Sequence, residues 1–346
     1  MTTKLGEKLY LTLPEGFTVR GARLKDVEPS MEMYNLWAQQ VIGEDEINDT
    51  EAIRNEWVSP GFDPAEDIRL AYAPDGTLVG YIEVWTTAKP PVHPWIWGRV
   101  HPDYNGLGIG SWMLTWAEER AARALDEIPD ELRFAPRIGI YSQAKESQKL
   151  FKNFGYHYFR SSYRMLIDMD APPPAPVWPE GLTLQTYNPE TDAEAVFRAD
   201  QDIFRDHFGF VEEPFEEGFQ RFIHLMTEYE GFDPSIWWLT FDGDELAGIC
   251  LCRPHSYDDP DMGYVSTLGV RRPWRKRGLG LAFLHHAFGE FHRRGKRKVG
   301  LGVDAENLTG ALRLYEKAGM HVHTQFDMFE KEIRPGVEIS VQSLGD

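Results

Sequence analysis

The 346-residue sequence predicts an α/β fold of the mixed α+β kind, laid down twice in tandem. Three observations predict it. Asp170–Glu180 carries five prolines in eleven residues and divides the chain into halves of nearly equal size. The halves repeat each other at four places, in the same order and about 164–170 residues apart. Within each half, stretches of period-two hydrophobicity are interspersed with stretches of helical period.

In order along the chain, Gly16-Phe-Thr-Val-Arg-Gly and Gly181-Leu-Thr-Leu-Gln-Thr alternate like opening strands. One or two helices follow in each half, over about 26–57 and 190–228. Asp75-Gly-Thr-Leu-Val-Gly and Asp242-Gly-Asp-Glu-Leu-Ala-Gly each read as a turn feeding a strand. A further strand then meets a glycine turn that opens a long helix. That turn is Val100-His-Pro-Asp-Tyr-Asn-Gly-Leu-Gly-Ile-Gly110 in the first half and Val270-Arg-Arg-Pro-Trp-Arg-Lys-Arg-Gly-Leu-Gly280 in the second. In the second copy, Leu284, Ala287, Phe288 and Phe291 fall on one helical face, and Gly295 stops the helix. A strand and a short helix come next, with Leu308, Ala311, Leu312 and Tyr315 on one face and Gly319 beyond its end. Its counterpart is Leu150-Phe-Lys-Asn-Phe-Gly-Tyr156, and a closing strand pair is expected to finish each unit. The prolines remove amide donors and hold the chain extended, so 171–180 is a linker between a first domain, 1–170, and a second, 181–346.

Composition excludes several classes of function. Lys and Arg total 36 against 55 Asp and Glu, a net charge of −19, which argues against a nucleic-acid partner. No run of about 18 apolar residues is present to span a membrane. The opening residues lack the basic and apolar regions of a secretory signal, so a cytoplasmic protein, monomeric or homodimeric, is expected. Cys250 and Cys252 cannot build a disulfide framework. No P-loop, Rossmann fingerprint, nucleophile elbow or zincin motif occurs. His285-His286 and His321-x-His323 lack the companions of a metal site, so no metal is expected.

The second glycine turn is the chemically informative segment. Glycines let backbone amides approach an anion, and the helix that follows adds its positive end. Residues 271–298 hold ten Lys or Arg against the single acid Glu290, on a chain that is otherwise acidic. This pattern predicts a site for one phosphate-bearing ligand.

Arg275-Lys-Arg-Gly278-Leu-Gly280 resembles the Q/R-x-x-G-x-G/A signature of the GCN5-related N-acetyltransferases. Its flanks add to the likeness: an apolar strand ending at Val270, then Asp304-x-x-Asn307 before Leu314-Tyr315-Glu-Lys-x-Gly319. As a tandem pair with the fuller motif in the second copy, the chain is similar to the mycothiol synthase group, which Asp206-His207-Phe-Gly also resembles. The resemblance implies two domains, each a mixed, mostly antiparallel twisted sheet flanked by helices. It implies acetyl-CoA as co-substrate and direct attack by the primary amine of a small-molecule acceptor. Pantetheine would lie along Leu268, Gly269 and Val270, and the pyrophosphate on Arg275, Lys276, Arg277, Gly278, Leu279 and Gly280, with Asn307 beside them. An amide near Leu268–Val270 would stabilise the thioester oxygen, and Tyr315 would protonate the departing thiolate.

The first copy departs from the pattern, with Asn105 in the arginine or glutamine position and Phe151 in place of the tyrosine. Val100, Asn105, Gly108 and Gly110 there form at most a vestigial cofactor site in a catalytically degenerate domain. In the second copy Tyr264 stands where the mycothiol group has a glutamate base, leaving Asp304, Asp261 or Glu245 acting through water as candidates. Two alternatives stay open: an acyl-CoA sensor without turnover, and an acetyltransferase acting on a protein or peptide.

Overall fold

The computed structural model describes residues 12–306 and 310–342. Asn307 and Leu308 lie outside the described residues. The first half runs β1 (Thr18–Arg20), α1 (Val27–Ile42), α2 (Thr50–Trp57), α3 (Pro64–Asp67), β2 (Ile68–Tyr72), β3 (Leu78–Trp85), β4 (Trp95–Val100), α4 (Ile109–Ala122), β5 (Arg137–Tyr141), α5 (Lys145–Asn153) and β6 (His157–Asp168). The second repeats it as β7 (Leu182–Thr186), α6 (Ala193–Phe204), α7 (Phe215–Thr227), β8 (Trp237–Asp242), β9 (Glu245–Arg253), β10 (Met262–Val270), α8 (Leu279–Arg293), β11 (Lys298–Asp304), α9 (Ala311–Lys317) and β12 (His321–Glu330).

All twelve strands join one sheet in the order β1-β2-β3-β4-β5-β12-β6-β11-β10-β9-β8-β7. Neighbours are antiparallel except β4 with β5 and β10 with β11. The centre of this order departs from the expected closing strand pair in each half. Each half has one long final strand, and the two are exchanged: β12 pairs with β5, β6 pairs with β11, and β6 and β12 pair with each other. Each needs a neighbour on both edges, and the other copy supplies it.

The helices cover the sheet through the faces read from the sequence. On α8, Leu284, Ala287, Phe288 and Phe291 are all buried, together with Leu279, Ala282 and Phe283. Burying that many apolar side chains, each contributing roughly 1.5–3 kcal/mol, fixes the helix on the sheet. No helix among the described residues is long and apolar enough to cross a membrane. Loops also tie the halves together. The amides of Asn48 and Asp49 donate to the carbonyl of Tyr257 at 2.6 and 2.8 Å, and the Tyr257 hydroxyl donates to Glu56 at 2.8 Å. Arg221 of α7 donates to the Thr87 carbonyl at 3.1 Å.

Candidate active site

The site begins where two parallel strands part. β10 pairs with β11 only over Met262–Val265. Beyond that point β11 continues along β6 to Asp304, while β10 stays with β9. The gap opens a cleft of about 610 Å³ lined by Leu268, Gly269, Val270, Arg275, Lys276, Gly278, Leu279, Gly280, Asp304 and Tyr315, among others. Ser266 forms a β-bulge against β9, between Val265 and Thr267, which turns the strand at the mouth of the gap. Peptide groups of 266–270 that face the gap have no strand partner. The Ser266 hydroxyl is buried without a hydrogen bond. Gly269 is required for packing as well, because a Cβ there would come within 2.5 Å of Ile203 on α6.

At the wide end of the cleft, the amides from Lys276 to Leu281 donate to no protein acceptor among the described residues. Lys276 and Gly278 have φ of +63° and +91°, which curls the turn so that its amides converge ahead of α8. This cradle suits a pyrophosphate. Gly280 has a further role: a Cβ there would lie 2.9 Å from Leu314, so the glycine lets α9 sit close against α8.

The basic patch of 271–298 divides into two groups. Residues 293–298 lie at the far end of α8, roughly 22 Å from the turn for a helix of fifteen residues. At the turn itself most of the charge is committed. Arg271 pairs with Asp202 at 2.8 Å, and Arg272 pairs with Asp206, holding that carboxyl below its usual range. Arg275 lines the cleft, but its guanidinium donates to the carbonyls of Val270 and Ile203 at 3.0 and 3.2 Å. Arg277 turns outward to the Glu180 carbonyl at 3.1 Å. Lys276 lines the cleft with no ion pair among the described residues.

Tyr315 stands on α9 at the narrow end. It is buried and lines the cleft, and its hydroxyl has no hydrogen-bond partner among the described residues. Burial, with smaller contributions from Cys250 and Tyr264, pushes its pKa up to about 12, so the phenol keeps its proton at neutral pH.

The first copy repeats this layout with different residues at key places. Its parallel pairing is limited to Trp95 and Ile96 against Arg137 and Ile138, and the cleft beyond is about 390 Å³. Val100, Asn105, Gly108 and Gly110 all line it. β4 runs along β3 with no bulge. Arg99, one residue before Val100 as Gly269 is before Val270, is buried in a bidentate pair with Glu46 under the rings of Tyr34 and Trp37. Phe151 packs on Phe329 in the core.

A second cavity of about 710 Å³ lies between the halves. It draws on Tyr34, Glu46, Glu56, Glu83 and three tryptophans of the first half, and on Arg253, Asp258 and Tyr264 of the second. Gly302 lines this cavity and the cleft alike, and a Cβ there would lie 3.4 Å from the Tyr264 hydroxyl. The two spaces therefore meet at Gly302. Of the candidate bases, Asp304 faces the cleft but accepts from Arg160 at 2.6 Å and from the Glu306 amide at 2.9 Å. Asp261 and Glu245 line neither space. Glu46, Glu56, Glu83 and Asp258 were absent from the sequence reading; they share no motif, and only the folding of both halves brings them to one wall. Burial raises Glu46 and Glu56 and pushes Glu83 up to about 7.

Comparison with known proteins places this geometry. The family model "Acetyltransferase (GNAT) family" matches residues 31–156 and again 194–320. The mycothiol acetyltransferase of Salinispora arenicola is 31% identical over 261 residues, covering 74% of this chain and 78% of that one. The crystal structure of a GCN5-related N-acetyltransferase from Sphaerobacter thermophilus is 34% identical, with a TM-score of 0.79 over 96% of this chain and 100% of that one. A tandem GNAT protein from the clavulanic acid biosynthesis pathway shares the fold at 15% identity, with a TM-score of 0.68 over 93% of this chain and 100% of that one. With one match in each half, the chain belongs to the GNAT acetyltransferase family as a tandem N-acetyltransferase similar to mycothiol synthase.

Proposed function

We propose that this protein transfers the acetyl group of acetyl-CoA to the primary amine of a small molecule, with the second copy carrying the chemistry and the first retained as scaffold. One observation carries the reading: the bulge, the larger cleft and Tyr315 coincide in one copy, while the other has an unbroken strand, Arg99 and Phe151. Acetyl-CoA supplies the activated acyl group. The amides of 276–281 hold its pyrophosphate, with Lys276 as the available cation. An unpaired amide of the β10 edge near Leu268–Val270 donates to the thioester oxygen as negative charge grows there. As the C–N bond forms and the C–S bond breaks, Tyr315 gives its proton to the sulfur and is reprotonated by the proton the nitrogen sheds, so that amide and free thiol are the products. The amine enters past Gly302 from the central cavity, which both halves line.

The test compares Gly278→Glu with Gly108→Glu, each placing a carboxylate where one turn would hold phosphate. Both glycines have positive φ, and neither Cβ would touch the protein, so backbone strain is matched between the two. With release of the CoA thiol measured across a panel of amines, activity should vanish in the first variant and largely survive in the second. The reverse result would move the chemistry to the first copy. Acetyl-CoA binding with no thiol release for any amine would make the protein a sensor.

A further inference from the structure

The central cavity carries polar groups that acetyl transfer itself does not use. Tyr34 and Tyr141 are each 4% exposed and line the cavity, yet neither hydroxyl has a hydrogen-bond partner among the described residues. Two unmatched buried phenols expect a polar ligand. Four carboxylates also line it, and two are spent: Glu46 on Arg99 and Asp258 on Arg164. Glu56 accepts from the Tyr257 hydroxyl and Glu83 from that of Tyr81, and neither forms an ion pair among the described residues. The one other cation on the wall, Arg253, lies over the rings of Tyr229 and Tyr257 at 4.3 and 4.5 Å. With Glu56 and Glu83 ionised, the form that an ammonium beside them favours, two neutral pairs, two further carboxylates and one guanidinium give the wall one net negative charge. Trp95 and Trp97, stacked with centroids 5.7 Å apart, add an aromatic wall of the kind that receives cations and alkyl chains.

Position adds the decisive constraint. Glu83 stands on β3, five strand spacings in sheet order from Gly302 on β11, roughly 24 Å along the sheet before its curvature shortens the path. One nitrogen cannot both react beside Gly302 and rest on Glu83. Resting on the reading that this cavity is the acceptor site, we propose that the acceptor is an elongated dication. One amine reaches the Gly302 junction, and a second ammonium is held by Glu56 and Glu83, with Tyr34 and Tyr141 hydrogen-bonding along its length.

The probe is a series of α,ω-diamines from four to sixteen carbons, each set against the alkylamine of equal length. In wild type, kcat/KM for the best diamine should exceed that of its monoamine at least ~10-fold, the scale of one charge-assisted contact. Glu56→Gln and Glu83→Gln should each bring that ratio down toward one, with Tyr34→Phe as a further variant if either fails to fold. Equal use of diamines and monoamines, or a preference that survives both glutamine variants, overturns the proposal. Isothermal titration of the same diamines into the donor-free protein separates the two readings. Diamine binding that is lost in the variants, without acetylation of any amine, keeps the cation site and rejects the acetyl-transfer reading. Acetylation without diamine preference does the opposite, and absence of both rejects both.

Discussion

Replacing Tyr315 by phenylalanine removes one oxygen from the cleft and little else. That oxygen makes no hydrogen bond among the described residues, so none of them is stranded by its loss. The first copy already carries phenylalanine in the corresponding place, with Phe151 5% exposed against 8% for Tyr315. The melting point should therefore hold, with a stability change under ~1 kcal/mol. The rate should not. A positioned acid contributes about 10²–10⁴-fold. A phenol at about 12 is a weaker acid than an ordinary thiol at ~8.5, although the same dry cleft raises a thiolate formed in it. Proton transfer is then partial at the transition state, which puts the loss at the low end, about 100-fold, or ~2.7 kcal/mol. The assay is single-turnover release of CoA thiol, run beside acetyl-CoA titration and thermal melting. Expected is a hundredfold slower release with donor affinity and melting point unchanged. A folded variant that releases thiol at the wild-type rate would refute the role.

Other outcomes follow from the same geometry. Gly302→Val should fill the junction beside Tyr264 and cut kcat/KM for amines at least ~10-fold while acetyl-CoA still binds by titration, as expected when side-chain bulk closes a passage that only glycine leaves open. Glu83, pushed from 4.5 to about 7 by burial, favours its neutral form in the fold, so its stabilisation is full below pH ~4.5 and is lost as pH rises through about 7. Urea unfolding of wild type should thus weaken by up to ~3 kcal/mol between pH 5 and pH 8, and Glu83→Gln should flatten that slope. Arg275→Ala should lower the melting point as well as donor affinity, because its guanidinium ties Val270 to the end of α6.

The duplication, the order of elements and the second glycine turn were readable because each is written in local residues. Gly278 and Gly280 must be glycine for a curled turn and a close helix, and such demands leave a mark in one dimension. The bulge at Ser266 left none, since it depends on the register of β10 against β9 rather than on residue type. The basic patch misled in a related way: ten cations in 28 residues look like one site until a helix separates them and Asp202, Asp206 and three carbonyls claim the arginines at the turn. The exchange of β6 and β12 was equally hidden. Both strands carry the alternation any strand would, and nothing in it names the partner. Glu56 and Glu83 meet only once α2 has packed its Trp57 on Tyr81 of β3, a contact that no local pattern announces.

The exchange bears on how such a chain can change over generations. If only the second copy works, as proposed, a duplicated enzyme would ordinarily be free to discard the other half. Here a deletion of the first half would remove the strand that flanks β11 and β12 at the middle of the sheet, and a deletion of the second would strip β5 of its neighbour. Neither half can be inherited alone as a finished fold. On the proposed reading, selection on Tyr315 in one copy thereby preserves a whole domain that has phenylalanine in its place, and the cleft of that domain is free to change so long as β6 still reaches across.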